Sequence, residues 1–229
     1  MNFCIVVPVY NSPVLDAVLK DLSQKSYYQI IVVDDGSDEV VKIKNKNIEL
    51  LRHERNMGKG EAILTGIKYA KKLGYDAIIT FDADKQHISS QIEKLVAAYT
   101  EGNIVIGNRD FSSENVPESS KFGRKFSNFW VFLETFRLLG DTQSGFRIYP
   151  LSILDLNIQN RRFDFEIEVL ALHIYNGGKV VDVDVECYYP PQEERISHFD
   201  KVVDNLRLTK IHTKLMIQRY LLLRGFLWI

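Results

Sequence analysis

Cysteine is nearly absent: the 229 residues carry two, Cys4 and Cys187, far apart and each within an apolar stretch. That excludes a disulfide framework or a zinc cluster and points to a reducing compartment. A chain of this length buries a full core without such staples, as one large domain or one domain with an appendage. An excess of either charge is also lacking. Lysine and arginine total 29 against 30 aspartates and glutamates, which excludes a globally basic nucleic-acid coat and an acidic tail. No run of about 18 apolar residues occurs, so no transmembrane helix is expected. The start, Met1-Asn2-Phe3-Cys4, has no basic n-region, so no signal peptide is expected. No G-x-G-x-x-G follows the first apolar segment, and G-x-x-x-x-G-K-[ST] occurs nowhere, which removes the glycine devices of dinucleotide and P-loop sites. The five histidines, at 53, 87, 173, 198 and 212, form no H-x-x-x-H pair and no Cys pairing, so zinc is not expected. His87 and His198 fall in polar motifs, and the others read as ordinary helix or strand-end residues.

What is present is strand–helix alternation. Residues 3–9, 29–33, 48–52, 77–81 and 103–107 are short Val- and Ile-rich runs of the kind buried on both faces of a sheet. Between them, 14–25, 58–73 and 88–99 read as helices, the first with an N-cap and first-turn proline at Ser12-Pro13. Ala62, Ile63, Gly66, Ile67 and Ala70 share one face of the second helix. The rhythm predicts an α/β fold, a mostly parallel sheet with helices on both faces. Past Asn108 the pattern changes. Residues 110–120 read as a mobile loop, 122–139 and 164–175 as helices, 180–189 as a strand, 190–197 as a second loop, and 200–229 as a C-terminal amphipathic helix. Residues 1–199 are expected to form the main domain, with 1–108 and 109–199 as its two halves.

In open parallel sheets, ligands bind beyond the carboxyl ends of the strands. Here those ends carry Tyr10-Asn11, Asp34-Asp35 and Asp82-x-Asp84. Carboxylates converging on one crevice repel unless a cation or hydrogen bonds offset them. Asp82, Asp84 and Gln86 are hard oxygen donors suited to Mg²⁺ or Mn²⁺ bridging to substrate phosphates, although D-x-D alone also reads as a solvated turn. Asn56-Met57-Gly58-Lys59-Gly60 opens a helix and reads either as a flexible turn or as a loop whose lysine and amides face a phosphate.

Taken together, V-P-V-Y-N (7–11), V-V-D-D-G-S (32–37), N-M-G-K-G (56–60) with A-I-L-T-G (62–66), and D-A-D-K-Q-H (82–87) resemble the family 2 glycosyltransferases of GT-A fold. D-T-Q-S-G-F-R (141–147), F-D-F-E-I-E (163–168) and S-H-F (197–199) further resemble the polyprenyl-phosphate branch, which includes the dolichyl-phosphate mannose and glucose synthases. Any one motif is weak; seven in register over residues 3–210 are specific. The resemblance implies inverting transfer of a hexose from a nucleotide diphosphate sugar (GDP-mannose or UDP-glucose type) to a polyprenyl or dolichyl phosphate. It implies that Pro8, Tyr10, Asn11, Asp35, Lys59, Asp82 and a loop arginine, Arg195, bind the nucleotide sugar. It makes Asp82, Asp84 and Gln86 the metal positions, and Arg109, Arg124 and Ser127 the acceptor-phosphate positions. Lys85 departs from the apolar residue often found there.

Sugar transfer passes through an oxocarbenium-like transition state while a diphosphate leaves with growing negative charge. Cations stabilise that charge, and Asp84, Arg124 and Arg147 are candidate catalytic groups, with Lys125 a further cation. A hydroxyl acceptor needs a general base, whereas a phosphate is already ionised. Asp141 reads as a base, as an acceptor-orienting group or as a turn cap. Of Glu166 and Glu168, one is expected to face the site, Glu166 being favoured, and the other water. From Asn205 onward there are five Lys or Arg and no Asp or Glu. Arg207, Lys210 and Lys214 share one helical face beside Leu208, Ile211 and Leu215, and the tail 220–229 ends in Phe226-Leu227-Trp228-Ile229, a composition suited to an anionic membrane surface. The alternative is packing on the core. Relatives often carry transmembrane segments beyond this point, so a membrane-anchoring subunit is a possible partner; nucleic acid is not. The expected location is cytoplasmic, peripheral on the cytosolic face of a membrane. Two other readings stay open: the same fold acting on a glycan or protein hydroxyl, and a non-catalytic nucleotide-binding module.

Overall fold

In the computed structural model, which describes residues 1–112, 115–190 and 203–226, strand β1 (Phe3–Val9) is buried along its whole length. It pairs in parallel with β2 (Gln29–Asp34), which pairs in parallel with β3 (Ile48–Arg52), and on its other side with β4 (Ala77–Thr80). With β5 (Ile104–Arg109), β6 (Arg147–Pro150) and β7 (Val180–Val185), the described residues form one seven-stranded sheet in the order β3-β2-β1-β4-β6-β5-β7. Successive residues of β1 point to opposite faces. Phe3, Ile5, Val7 and Val9 join one core layer with helices α1 (Leu15–Lys25) and α3 (Ile92–Ala98). Cys4 and Val6 join the other with α2 (Lys59–Lys72) and α5 (Phe165–Tyr175). Each buried Val or Ile contributes about 1.5–3 kcal/mol, so a continuous apolar strand is the signature of a sheet covered twice.

The expected α/β class is the one observed, and β3 has the expected bounds. The main addition is β6, which runs antiparallel between β4 and β5. Four residues beginning in Arg and ending in Pro, buried on both faces, offer no alternation to detect. Helix α4 (Glu118–Thr135) begins inside the stretch expected to be a loop and ends earlier than expected, at Phe136 in a left-handed conformation (φ 55°). The third expected helix splits into a 3₁₀ turn at Ser89–Gln91 and α3. Helix α1 starts at Leu15 without a side-chain cap; the Ser12 hydroxyl donates instead to the Ala83 carbonyl at 2.5 Å. Strand β7 stops at Val185, because the chain beyond it is drawn to the 82–87 loop. His87 bridges to Cys187, and the Tyr188 amide donates to the Gln86 carbonyl.

Helix α6 (Val203–Phe226) corrects the expected membrane face. Leu208, Ile211 and Leu215 are buried against Val131 of α4 and Ile167 and Ala171 of α5, and Lys214 pairs with Glu168 at 2.9 Å. That apolar face is closed by protein. Residues 227–229, Trp228 among them, lie outside the described residues. No helix among the described residues is long and apolar enough to cross a membrane.

Helix α2 approaches β1 through Gly66, where an added Cβ would lie 2.5 Å from Val6 Cγ1. Gly66→Ala is therefore expected to destabilise the fold by about 1–3 kcal/mol through overpacking, measured by urea unfolding. Unchanged stability would mean that α2 sits farther from the sheet than described.

Candidate active site

The carboxyl ends of β1, β2, β4 and β5 open into one cavity of about 1310 Å³, which extends past α4 to the first turns of α6. Asp34 and Asp35 divide the work at the end of β2. Asp34 is fully buried, pairs with Arg52 and accepts the Ser37 amide at 2.9 Å. Asp35 lines the cavity. Its Oδ1 accepts the Met57 amide at 2.9 Å and is bonded to His53 Nδ1 at 2.7 Å, and its Oδ2 accepts the Gly58 amide at 2.7 Å. Gly58 makes this possible at φ 106°, a conformation closed to most side chains. The N-M-G-K-G amides thus hold a carboxylate rather than standing free for a phosphate. Pro8 and Tyr10 line the cavity beside Asp35. Asn11 is turned to the 34–38 loop instead, its side chain donating to the Asp38 carboxylate and accepting the Asp38 amide, both at 2.9 Å.

Lys59 is expected from the sequence to meet the donor, but its amine lies between Asp82 Oδ1 (2.8 Å) and Glu166 Oε1 (2.9 Å). Burial works to lower its pKa, yet the two carboxylates outweigh that and hold it above the ordinary value. Burial likewise opposes ionisation of Asp82, but Lys59 and His87 hold its carboxyl well below the usual range. The His87 Nε2 lies 3.3 Å from Asp82, and its ring stacks on Phe146. Among the described residues, Asp84 has no comparable partner. Burial and the charge of Asp82 push its carboxyl above the usual range. Lys85 adopts a left-handed φ of 64°, and Asp84 and Gln86 on either side of it both line the cavity. Asp82 and Glu166 therefore share the Lys59 ammonium, and Asp84 stands beside Asp82 as a third carboxylate. Among the described residues, no three His, Cys, Asp or Glu side chains could hold a metal ion by themselves. A hard cation here would rest on Asp84 and Gln86, with Asp82 alongside, and complete its shell with ligand phosphate oxygens, the usual manner of Mg²⁺. The donor set fits that chemistry.

Glu168, expected to face water, is buried. It accepts the Gln159 and Asn160 amides at 2.9 and 2.7 Å as well as pairing with Lys214.

At the opposite wall, Arg109 donates to both oxygens of Asp141, Nε at 2.7 Å and Nη2 at 3.1 Å. Asp141 is fully buried, so this carboxylate orients Arg109 and is closed to a substrate hydroxyl. The Arg124 guanidinium donates to the Arg109 carbonyl at 2.7 Å. The Phe111 ring carries both guanidinium groups, Arg124 at 4.5 Å and Arg109 at 5.2 Å from its centroid. The Ser127 hydroxyl is bonded to Thr142 Oγ1 at 2.8 Å. Arg109, Phe111, Ser127 and Thr142 line the cavity, and so do Phe122 and Phe126 of α4. Arg195 and His198 lie outside the described residues.

Arg147 does not belong to the site. Its side chain is fully buried and donates to the carbonyls of Ser144 (2.6 Å), Thr142 (2.8 Å) and Glu166 (2.9 Å). It braces the 141–147 turn against α5. The sequence reading also passed over His53, Phe111 and Glu134. His53 reaches Asp35 only because β2 and β3 pair in register, Asp34 opposite Arg52. Apart from the pairing, nothing local marks it.

A model of glycosyl transferase family 2 matches residues 4–156. A UDP-N-acetylglucosamine–dolichyl-phosphate N-acetylglucosaminyltransferase of Methanococcus voltae is 29% identical over 215 residues, covering 81% of this chain and 85% of that protein. An undecaprenyl-phosphate mannosyltransferase of Micrococcus luteus is 24% identical over 203 residues, covering 81% of this chain and 83% of the relative. Among solved structures, glucosyl-3-phosphoglycerate synthase from Mycobacterium tuberculosis, in complex with Mn²⁺, UDP-glucose and phosphoglyceric acid, superposes with a TM-score of 0.66 at 15% identity, over 95% of this chain and 79% of that one. The fold is thus of GT-A type.

Arg147→Met removes a donor from three buried carbonyls; that of Glu166 keeps its partner within α5, while those of Thr142 and Ser144 cost about 1–3 kcal/mol each. The expected outcome is a loss of about 2–6 kcal/mol in urea unfolding, with any rise in acceptor KM accompanying that loss, because the 141–147 turn also carries Asp141. A raised acceptor KM at unaltered stability would return Arg147 to the site.

Proposed function

The chain belongs to glycosyl transferase family 2 and is a glycosyltransferase, and from that premise we propose that it transfers a hexose from a nucleoside diphosphate sugar to a polyprenyl phosphate. The observation that carries this reading is the order of chemistry along one cavity. Asp35 and the carboxylate cluster lie at the end opened by β1, β2 and β4, Arg109 and Phe111 line the cavity beyond β5 with Arg124, outside the lining, stacked on the Phe111 ring, and an aromatic wall continues along α4. Phe122 and Phe126 on that wall are 69% and 44% exposed. Arginines beside an exposed apolar wall match a ligand with an anionic head and a hydrocarbon tail. The two relatives above are named for dolichyl and undecaprenyl phosphate acceptors, and the same chemistry is taken to apply here.

Asp35, with Pro8 and Tyr10, is assigned to the nucleoside of the donor. Asp84 and Gln86, with Asp82, are assigned to a divalent cation, which when bound would offset the charge of the departing diphosphate. Lys59 and His87 fix the orientation of Asp82. Arg109, held by Asp141, and Arg124 bind the acceptor phosphate, and Ser127 closes its far side. A phosphate oxygen is ionised near neutral pH, so attack on the anomeric carbon needs positioning rather than proton removal. The closure of Asp141 by Arg109 favours this acceptor over a hydroxyl. Contact with a membrane is assigned to the exposed apolar residues Phe122, Phe126 and Phe129 of α4, beside Lys121 and Lys125 in sequence, and to the exposed Leu206, Ile217 and Leu221 of α6. The location on the cytosolic face follows from the same reading.

Incubation with radiolabelled UDP- and GDP-sugars, Mn²⁺ and farnesyl phosphate is expected to yield label in the organic phase. Asp84→Asn is expected to lower turnover roughly 10²–10³-fold, and excess EDTA to abolish it. Label appearing only on a water-soluble hydroxyl acceptor, or nowhere, would overturn the assignment. Arg124→Lys is expected to raise the acceptor KM about tenfold at unchanged donor KM, because a planar donor stacked on Phe111 is lost.

The aromatic edge makes a separate prediction. Phe122→Ser with Phe126→Ser is expected to release the protein from anionic vesicles in co-sedimentation at low salt. Retention equal to wild type would move the membrane contact elsewhere.

A further inference from the structure

A second ionisable pair faces the acceptor end of the cavity, and nothing in the assignment above uses it. His212 of α6 is 3% exposed, and its Nδ1 lies 2.7 Å from Oε1 of Glu134 on α4, a residue with no exposure at all. The ring stacks on Trp130, with centroids 6.0 Å apart, and meets the edge of Phe126 at 6.5 Å. His212 lines the cavity together with Phe126, Ser127 and Leu208. Its Nε2 has no hydrogen-bond partner among the described residues. Glu134 Oε2 is also without a partner among the described residues, but only Nε2 belongs to a residue of the cavity wall, where a ligand can supply the bond whose absence costs about 1–3 kcal/mol.

The protonation of the pair decides what Nε2 offers. A carboxylate beside a neutral ring protonated on Nδ1 would leave Nε2 as a bare lone pair and a net negative charge in an apolar setting, which burial disfavours. Burial pushes the Glu134 carboxyl above its usual range, against the opposing pull of His212. The two net-neutral arrangements are a protonated Glu134 donating to Nδ1 and a carboxylate accepting from an imidazolium. They differ only in where one proton sits along the Glu134–Nδ1 axis. In both, Nε2 carries a hydrogen. In these arrangements Nε2 presents an N–H to the cavity.

We propose that the Nε2–H of His212, oriented by Glu134, donates to a non-reacting oxygen of the acceptor phosphate. His212 thus supplies a contact to the acceptor from α6, next to Phe126 of the aromatic wall that receives the tail. The inference rests on the lipid-phosphate reading of the site. It also gives the packing of α6 on α4 a functional consequence, since the donor exists only when the two helices are in contact.

The test uses the whole protein labelled with ¹⁵N-histidine, with His212→Gln supplying the assignment. Farnesyl phosphate added without donor is expected to shift the His212 Nε2 correlation, while farnesol and UDP leave it in place. In kinetics, His212→Phe keeps the stack on Trp130 and removes the donor, so the acceptor KM is expected to rise at least ~tenfold with donor KM unchanged. His212→Gln, whose amide reaches about as far as Nε2, is expected to recover part of that loss. Two results overturn the inference alone: wild-type protein that binds farnesyl phosphate without moving the His212 signal, or His212→Phe with the wild-type acceptor KM. If wild-type protein neither binds nor glycosylates farnesyl phosphate, the lipid-phosphate reading fails and this contact fails with it.

Discussion

Lys59 lies between two carboxylates that reach it from different parts of the fold, and the site depends on that arrangement. Asp82 follows β4, Glu166 stands in the first turn of α5, and Lys59 opens α2. One ammonium cannot neutralise Asp82, Glu166 and the neighbouring Asp84 together. The surplus negative charge sits at the mouth of the sheet and suits a divalent cation brought in with a diphosphate. Because burial penalises each charge, the cluster persists only while its partners stay in place. Asp82 is held by Lys59 and His87, His87 is held by its stack on Phe146, and α5 is held by the Arg147 donors. Structural and functional charges thus form one connected network.

The arginines divide along the same lines. Arg147 is used up on main-chain carbonyls and shapes the turn, and the turn presents Asp141, which in turn fixes Arg109. Arg109 and Arg124 share the Phe111 ring, an arrangement that keeps two positive groups close at modest cost because the ring face attracts both. Arg109 is neutralised by Asp141, whereas the Arg124 guanidinium is bonded to a main-chain carbonyl. The aromatic wall on α4 begins beside them, which supports the lipid-phosphate acceptor proposed above.

Helix α6 serves a different purpose from the one its composition suggests. Its apolar face at Leu208, Ile211 and Leu215 closes a third, small core with α4 and α5. Lys214, on the basic face, is drawn into an ion pair with Glu168. Basic and apolar residues at helical spacing describe a membrane-surface helix and a docked amphipathic helix equally well, since both need one apolar side. Only the presence of a complementary surface on α4 and α5 separates them.

Much of this protein is legible in its chain. The buried strands declare themselves because a strand covered on both faces must be apolar throughout, and the carboxylates Asp35, Asp82 and Asp84 stand out because they end such runs. The seven motifs in register carry the family. What the sequence withholds is partnership between distant residues. His53 meets Asp35 across 18 positions, Arg109 meets Asp141 across 32, and His212 meets Glu134 across 78. Arg109 and Arg147 look alike as letters, each beside a polar motif, yet one lines the cavity and the other is sealed beneath it. Strand β6 is likewise invisible until β4 and β5 are there to pair with it. Residue type and spacing by themselves determined six of the seven described strands, the two covered faces and the carboxylate edge, because burial is written locally. Which charge stays open to a ligand and which is neutralised inside was decided only by the tertiary structure, because a charge is free or paired according to what folding brings within about 3 Å of it.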